Sequence, residues 1–533
     1  MEKLKPLDAL FVDAEDVDKN TSMAIASIAV FEGPAPSQEE LMALVAGRLP
    51  LLPRYRQKLR MVPFRLGRPV WVDDPDFDLS YHIRRTALPE PGGDQQVADL
   101  MARLMSQRLD RDHPLWEYWL VEGLARDRWA LISKVHHCMV DGISGTDMYR
   151  VLLDFPAEAA EPDAKTPDAK TPDAKTPDAE TPDAETPDAE TPDAETQAEE
   201  PPSARSLIVQ AAADIIRLPV LDALALSDLI ANPDRAIRQG ADVARAIARL
   251  SPSLLPAARS SLSGNIGRQR RYAWARTSLE DIKTIKREFG GTVNDVVLAA
   301  ISAGFRALLV ERGEEPEPHE VPSLVPVSVR APGDEGRGGN QVSATVADLP
   351  VHICDPVERL DAVRTELDSL KESNEALIGE SLIALGQYSL YPIVSWLVRL
   401  AFRLPQREIV TVTTNVPGPR QPLYWEGRRL EEIVPYVPIA STVRTGISIF
   451  SYAGQVTFGI TGDYSANPDL DVLARGIEHG VSELLLAAER HAAMASEAAR
   501  AAKAARAARA ARAASRGRLK AAPRKAGKAG KAG

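Results

Sequence analysis

Between Pro162 and Thr196 one pentapeptide repeats seven times, three copies of Pro-Asp-Ala-Lys-Thr followed by four of Pro-Asp-Ala-Glu-Thr. A proline at every fifth position removes a backbone donor and clashes with the preceding helical turn, so no continuous helix can form. The repeat has no apolar side chain larger than Ala or Pro, so burial cannot offset the entropy of ordering it. The sequence therefore predicts a flexible acidic linker over 157–203. It divides the chain into an N-terminal lobe at 1–156, a C-terminal lobe at 204–493 and a basic tail at 494–533. At 533 residues more than one globular unit is expected, and 44% hydrophobic residues suffice for a core in each.

In the first lobe, the apolar run Met23–Phe31 and Trp129–Val135 read as strands, and Gln38–Ala46 and Asp94–Leu109 as helices. In the second, helices are expected at Leu207–Leu218, Ala241–Leu250, Leu279–Phe289, Asn294–Arg312 and Asp471–Ala488. Strands are expected at Ser323–Val329, Gln341–Leu349, Ile409–Thr414, Gly446–Tyr452 and Gln455–Thr461, the last two joined as a hairpin through Ala453-Gly454. Strands and helices mixed without a βαβ rhythm indicate an α+β fold. The uncharged stretch Ser381–Val398 contains Gly386, Gln387 and Pro392 and is barely long enough to span a bilayer, so it is read as a core or interfacial helix. Two cysteines, Cys138 and Cys354, and an N-terminus without a secretory pattern predict a reducing compartment and leave no disulfide framework.

Charge is unevenly distributed. The net charge is −11, and the twelve Lys or Arg of Arg500–Gly533, with no acidic residue among them, leave −23 on residues 1–499. So acidic a body is a poor non-specific nucleic-acid binder. Basic residues recur every third position from Arg500 to Arg512 among alanines, a helix-competent pattern whose charges spiral around the axis.

The informative segment for chemistry is Lys134-Val135-His136-His137-Cys138-Met139-Val140-Asp141-Gly142. Two histidines directly after a strand stand where α/β sites are commonly built, and imidazole is the side chain best suited to take and return a proton near neutral pH. Gly142 would let the backbone turn tightly. Alone, the pair also fits a hydrogen-bonded structural pair or a zinc site, though His-Glu-x-x-His is absent and no Cys-rich partner exists. Cys138 fits either a nucleophile or a small packed residue. A Gly-x-Ser-x-Gly elbow and a phosphate-binding glycine loop are both missing, which removes support for serine-nucleophile, nucleotide and nicotinamide chemistry.

His136-His137-x-x-x-Asp141-Gly142 resembles the active-site motif of the bacterial wax ester synthase/diacylglycerol acyltransferase family, within the CoA-dependent acyltransferase superfamily. Further similar blocks are Pro6-Leu7-Asp8-Ala9-Leu10-Phe11, Trp71 to Asp78, Pro114-Leu115-Trp116-Glu117, Val293-Asn294-Asp295-Val296, Val325 to Arg330 with Gly339-Asn340, and Asn415-Val416-Pro417-Gly418-Pro419. The likeness covers about residues 5–156 and 270–490. Thr292 stands where the family pattern has Ser, and the linker and tail fall outside the pattern.

The resemblance implies a two-lobed, chloramphenicol-acetyltransferase-like fold with a channel between the lobes. It implies that His137 acts as general base toward an alcohol hydroxyl attacking an acyl-CoA thioester, without an acyl-enzyme. His136 would support it, Asp141 would hold the loop through an arginine, and Asn340 or Asn415 would position substrate or oxyanion. Asn294 and Asp295 at a helix start fit either a site role or a cap. Acyl-CoA is then a substrate, and no cofactor or metal is expected. Diacylglycerol is the first acceptor expected and a long-chain fatty alcohol the alternative; a condensation-type enzyme using carrier-bound acyl groups is a further reading. The expected location is the cytoplasm, peripheral at the inner face of the plasma membrane or on lipid inclusions. The tail suits an anionic lipid surface, with nucleic acid as the competing partner. A binding protein that has lost activity is the non-enzymatic alternative.

Overall fold

The computed structural model describes residues 2–139, Leu153, 260–328, 342–372 and 409–520. The expected linker, the helices expected at Leu207–Leu218 and Ala241–Leu250, and the stretch Ser381–Val398 lie outside the described residues.

Before the linker the described elements are α1 (Pro6–Val17), β1 (Ala24–Glu32), α2 (Gln38–Arg48), β2 (Gln57–Arg60), β3 (Val70–Asp73), α3 (Leu79–His82), β4 (Ile83–Ala87), α4 (Asp94–Met105), β5 (Trp116–Leu124) and β6 (Arg128–His136). After it come β7 (Arg270–Ser278), α5 (Leu279–Phe289), α6 (Val293–Glu311), β8 (Val321–Ser328), β9 (Val342–Leu349) and α7 (Pro356–Glu372). The chain then forms β10 (Thr411–Pro417), β11 (Tyr424–Trp425), β12 (Arg428–Tyr436), β13 (Thr445–Tyr452), β14 (Gln455–Asp463) and α8 (Leu470–Lys520).

Local signals explain several of these boundaries. Ser37 and Glu40 close a capping box on α2, and Thr292 and Asp295 close one on α6, each satisfying backbone donors that a helix start leaves free. Gly290 ends α5 at φ +79, a conformation glycine adopts without a Cβ clash. The β13–β14 turn is the expected pair Ala453-Gly454, both at positive φ, as a twisted two-residue hairpin requires.

The strands form two six-stranded sheets, ordered β11-β12-β1-β6-β5-β4 and β7-β14-β13-β10-β8-β9, plus the small pair β2-β3. Each large sheet backs onto its own apolar core. Lobe and chain order part company at β11 and β12, which follow β10 of the second sheet yet complete the first by pairing β12 antiparallel to β1. The C-terminal lobe expected at 204–493 therefore lends two strands to the N-terminal one. Trp425 of β11 anchors the crossing, lying 4.8 Å from Trp129 and 6.0 Å from Phe31 between ring centroids. No local pattern in β12 tells which sheet it joins, because Leu430, Ile433 and Val434 would bury equally well in either.

Helix α6 is apolar enough to cross a membrane by length and composition, but much of it is buried in the second core. Where the sheets meet, the Pro435 carbonyl of β12 accepts from Tyr272 Oη at 2.5 Å and Ser448 Oγ at 2.9 Å. A Cβ on Gly459 of β14 would lie 1.7 Å from that carbonyl oxygen. Gly459→Ala is therefore expected to destabilise the fold by about 3 kcal/mol, read as a lowered urea midpoint; wild-type stability would refute this contact.

Candidate active site

Strand β6 is buried along nearly its whole length and delivers the two histidines at its end. His136 is its last residue, paired with Ala24 of β1, and the chain turns at once into a single 3₁₀ turn over His137–Met139. The backbone is fixed on both sides: His136 N donates to Leu115 O and His137 N to Met23 O, each at 2.9 Å.

Helix α1 completes the site with two side chains one turn apart, a spacing that puts them on one face. Phe11 stacks on the His137 ring with centroids 4.0 Å apart. Glu15, buried, accepts from Met23 N at 2.7 Å, meets Arg111 Nη2 at 2.9 Å and faces His136 Nε2 at 3.4 Å. Arg111 also reaches Asp16 at 2.7 Å. One carboxylate thus touches His136 directly and, through Met23, the residue whose carbonyl holds His137. The segment leading to Met23 is staked from both lobes: Arg108 Nε donates to Thr21 O at 2.8 Å, and Arg270 of β7 donates to Asn20 O at 2.6 Å.

The two imidazoles differ in their protonation. Burial works against a charge on His136, but Cys138 on one side and Glu15 on the other outweigh it and push the pKa up to about 10. Glu15 goes the other way, to about 2; burial would raise it, and His136, the Met23 amide and Arg111 prevail. The Nε2–Glu15 contact is off the line of a good hydrogen bond, so we regard it as an ion contact. The Cys138 amide points at His136 Nδ1 at 3.2 Å and Cys138 Sγ lies 2.9 Å from it. The neutral ring therefore carries its proton on Nε2, toward Glu15, and a second proton would face the sulfur. For His137, burial and then His136 lower the pKa to about 4. Its Nδ1 is buried without a hydrogen-bond partner among the described residues. The nitrogen left to meet a substrate is Nε2.

The other residues singled out in the sequence fall in two places. Asn415, near the end of β10, donates from Nδ2 to Asn294 Oδ1 at 3.3 Å, so the second lobe brings these two together. Asp295 is a cap, accepting from Thr292 N at 2.6 Å while its own amide donates to Thr292 Oγ1. Asp141, Gly142 and Asn340 lie outside the described residues. Trp116 is fully buried and donates to Tyr55 O at 2.8 Å, which makes it a packing residue. Lys134, two residues before His136, is also buried, donating to Leu104 O in the last turn of α4 and to Gln107 O just past its end. Sequence reasoning missed Glu15, although the opening motif ends at Phe11 and one more helical turn reaches it.

A cleft of about 600 Å³ opens where α4 meets β7, lined by residues such as Arg103, Gln107, Arg270, Arg271 and Tyr464. Neither histidine lines it, so it is not this site.

Two sheets, the first completed by a strand pair from the second lobe, with a histidine pair at the end of a central strand, define an α+β acyltransferase fold. The solved wax ester synthase/diacylglycerol acyltransferase from Marinobacter aquaeolei VT8 has the same architecture, with a TM-score of 0.58 and 26% identity over 92% of this chain and 100% of that one. The family profile described as "Wax ester synthase/diacylglycerol acyltransferase catalytic domain" matches residues 4–297, and that of the family's C-terminal domain matches residues 338–485. A Mycobacterium tuberculosis protein with the printed name "Probable diacyglycerol O-acyltransferase tgs1" is 39% identical over 92% of this chain and 97% of its own length. Another Mycobacterium tuberculosis protein, named "Probable diacyglycerol O-acyltransferase tgs2", is 29% identical over 91% of this chain and 99% of its own length. The chain belongs to the wax ester synthase/diacylglycerol acyltransferase family, and it is an acyltransferase enzyme.

Proposed function

We propose that the chain transfers a long-chain fatty acyl group from acyl-CoA to diacylglycerol, forming triacylglycerol, with His137 as general base. His137 Nε2 takes the proton of the acceptor hydroxyl as its oxygen attacks the thioester carbonyl. The tetrahedral intermediate then expels the CoA sulfur, breaking the C–S bond, and the imidazolium returns the proton to that thiolate. Both substrates are present together and no acyl-enzyme forms. The observation that carries this reading is the state of His137: a half-buried imidazole held by its backbone and lowered to about 4, hence neutral at physiological pH. His136 and Glu15 supply the charged support behind it. We assign Asn415, whose amide keeps a second N–H beyond its bond to Asn294, to holding substrate or oxyanion, and Asp141 to the architecture of the following loop.

Diacylglycerol is preferred as acceptor because relatives spanning nearly the whole chain carry that name. The fatty-alcohol alternative rests on the family's wax ester synthase members. The test is competition: purified protein with radiolabelled palmitoyl-CoA and equal diolein and hexadecanol, the products separated by lipid chromatography. Label mainly in triacylglycerol is expected. Label mainly in wax ester would overturn the acceptor assignment, and label in neither would overturn the reaction.

A further inference from the structure

Helix α8 begins inside the second lobe, where Leu473, Ile477, Val481 and Leu484 are buried. It last touches the body at His491, whose Nδ1 lies 2.5 Å from Glu288 Oε1 of α5. From Glu489 to Arg509 every residue is exposed, and the helix continues to Lys520. The match to the family's C-terminal domain ends at residue 485, before this extension. At 1.5 Å per residue it projects roughly 44 Å beyond His491. Beyond Glu497 the sequence contains no acidic residue, and Arg500, Lys503, Arg506 and Arg509 follow at three-residue steps among alanines.

Each three-residue step turns the position about 60° backward around the helix. Arg500 through Arg509 therefore sweep half the circumference, leaving no apolar stripe that could insert into lipid. The rod reaches several Debye lengths from the lobes, which carry −11 once the −12 of the linker at 157–203 is set apart, the Debye length being about 8–10 Å in physiological salt. Its positive field is thus not cancelled by the acidic lobes. An acidic body is repelled from an anionic bilayer, yet the acceptor in the proposed reaction resides in a lipid phase.

We propose that the exposed half of α8 is a cationic boom that docks this enzyme onto an anionic phospholipid surface, bringing an otherwise repelled body to its lipid substrate. The need for a lipid surface rests on the proposed diacylglycerol reaction; the docking itself does not depend on turnover.

The test uses the full-length protein and a full-length variant with Arg500, Lys503, Arg506 and Arg509 all changed to Gln, which preserves helix propensity. Both are mixed with phosphatidylcholine vesicles with or without one-third phosphatidylglycerol, and binding is measured by flotation. Each cation near an anionic surface contributes about fivefold, and about half of a half-turn spiral faces a flat sheet. The variant is therefore expected to lose about 25-fold in partitioning to phosphatidylglycerol vesicles. Wild-type binding should fall steeply with salt and vanish on pure phosphatidylcholine. Equal binding by variant and wild type, or equal binding to both vesicle types, overturns the proposal. A duplex DNA competitor that strips the wild type from vesicles at equal phosphate would reassign the boom to nucleic acid and overturn it as well. Turnover on detergent-dispersed diolein checks the diacylglycerol reading separately, since a protein that docks but does not turn over leaves the boom intact and removes the reaction.

Discussion

His137→Ala is expected to lower kcat for acyl transfer by about 10²–10⁴-fold, the range general-base catalysis supplies, with little change in KM for palmitoyl-CoA. The side chain is half-buried and bonds through its backbone amide to Met23 O, an anchor alanine keeps, so the fold should survive. The pH profile of the wild type carries the sharper signature. With the imidazole lowered to about 4 by burial and by His136, the base form persists well below neutrality. kcat/KM should therefore stay nearly level down to about pH 5, halve at about pH 4 and approach a tenfold fall per unit below that. An acid limb near 6.5, the ordinary histidine value, would mean that the ring is solvated and not held as described. Stability follows the same shift: below 6.5 the unfolded chain binds a proton on this ring that the folded chain refuses until about 4, so stability falls as the pH drops through that window. A His137→Ala variant that turns over at the wild-type rate would remove the imidazole from the chemistry.

The parts of this molecule legible from sequence are those where a short run of residues decides the outcome. The apolar run into β1, the amphipathic α5 and the Ala453-Gly454 hairpin stand within a residue or two of where periodicity and turn chemistry put them. The histidines emerge at a strand end as expected, because β6 is apolar enough to be central and the turn follows immediately. What the sequence concealed depends on partners distant in the chain. Strand β7 alternates weakly, with three arginines, and is a strand only because β14 pairs with it over its whole length. The move of β11 and β12 into the first sheet is settled by Trp425 packing on Phe31 and Trp129, nearly three hundred residues away from the latter. Asn294 and Asp295, adjacent in one motif, separate in role because a helix start turns one side chain back to cap the backbone and leaves the other facing Asn415.

Glu15 is where sequence reasoning stopped one turn short, and its substitution tests the charged support of the site. Glu15→Gln keeps an oxygen for the Met23 amide but removes the charge facing His136. Cys138 still favours the charge on His136, but without the Glu15 carboxylate burial opposes it more effectively, so the ring holds its proton less firmly and one of the two influences holding the His137 pKa down weakens. The acid limb of kcat/KM in Glu15→Gln should move upward from about 4. Glu15→Ala goes further, taking the acceptor from the Met23 amide, leaving Arg111 Nη2 with its longer bond to Val12 O, and loosening the carbonyl that anchors His137. Breaking a buried charge pair costs about 3–5 kcal/mol, and a displacement of about 1 Å at a catalytic group costs about 10²-fold in rate. Both are expected of the alanine variant, by denaturant unfolding and steady-state kinetics. The wild-type pair also has a signed dependence on pH. Glu15, lowered to about 2, stabilises fully above its unfolded value of 4.5 and loses that as the pH falls toward 2. His136, raised to about 10, stabilises fully below 6.5 and loses that as the pH rises toward 10. Together they contribute most between about 4.5 and 6.5, and Glu15→Gln should flatten that maximum. A glutamine variant with an unmoved acid limb and an unchanged stability maximum would show that Glu15 only packs against the site and does not set its charge.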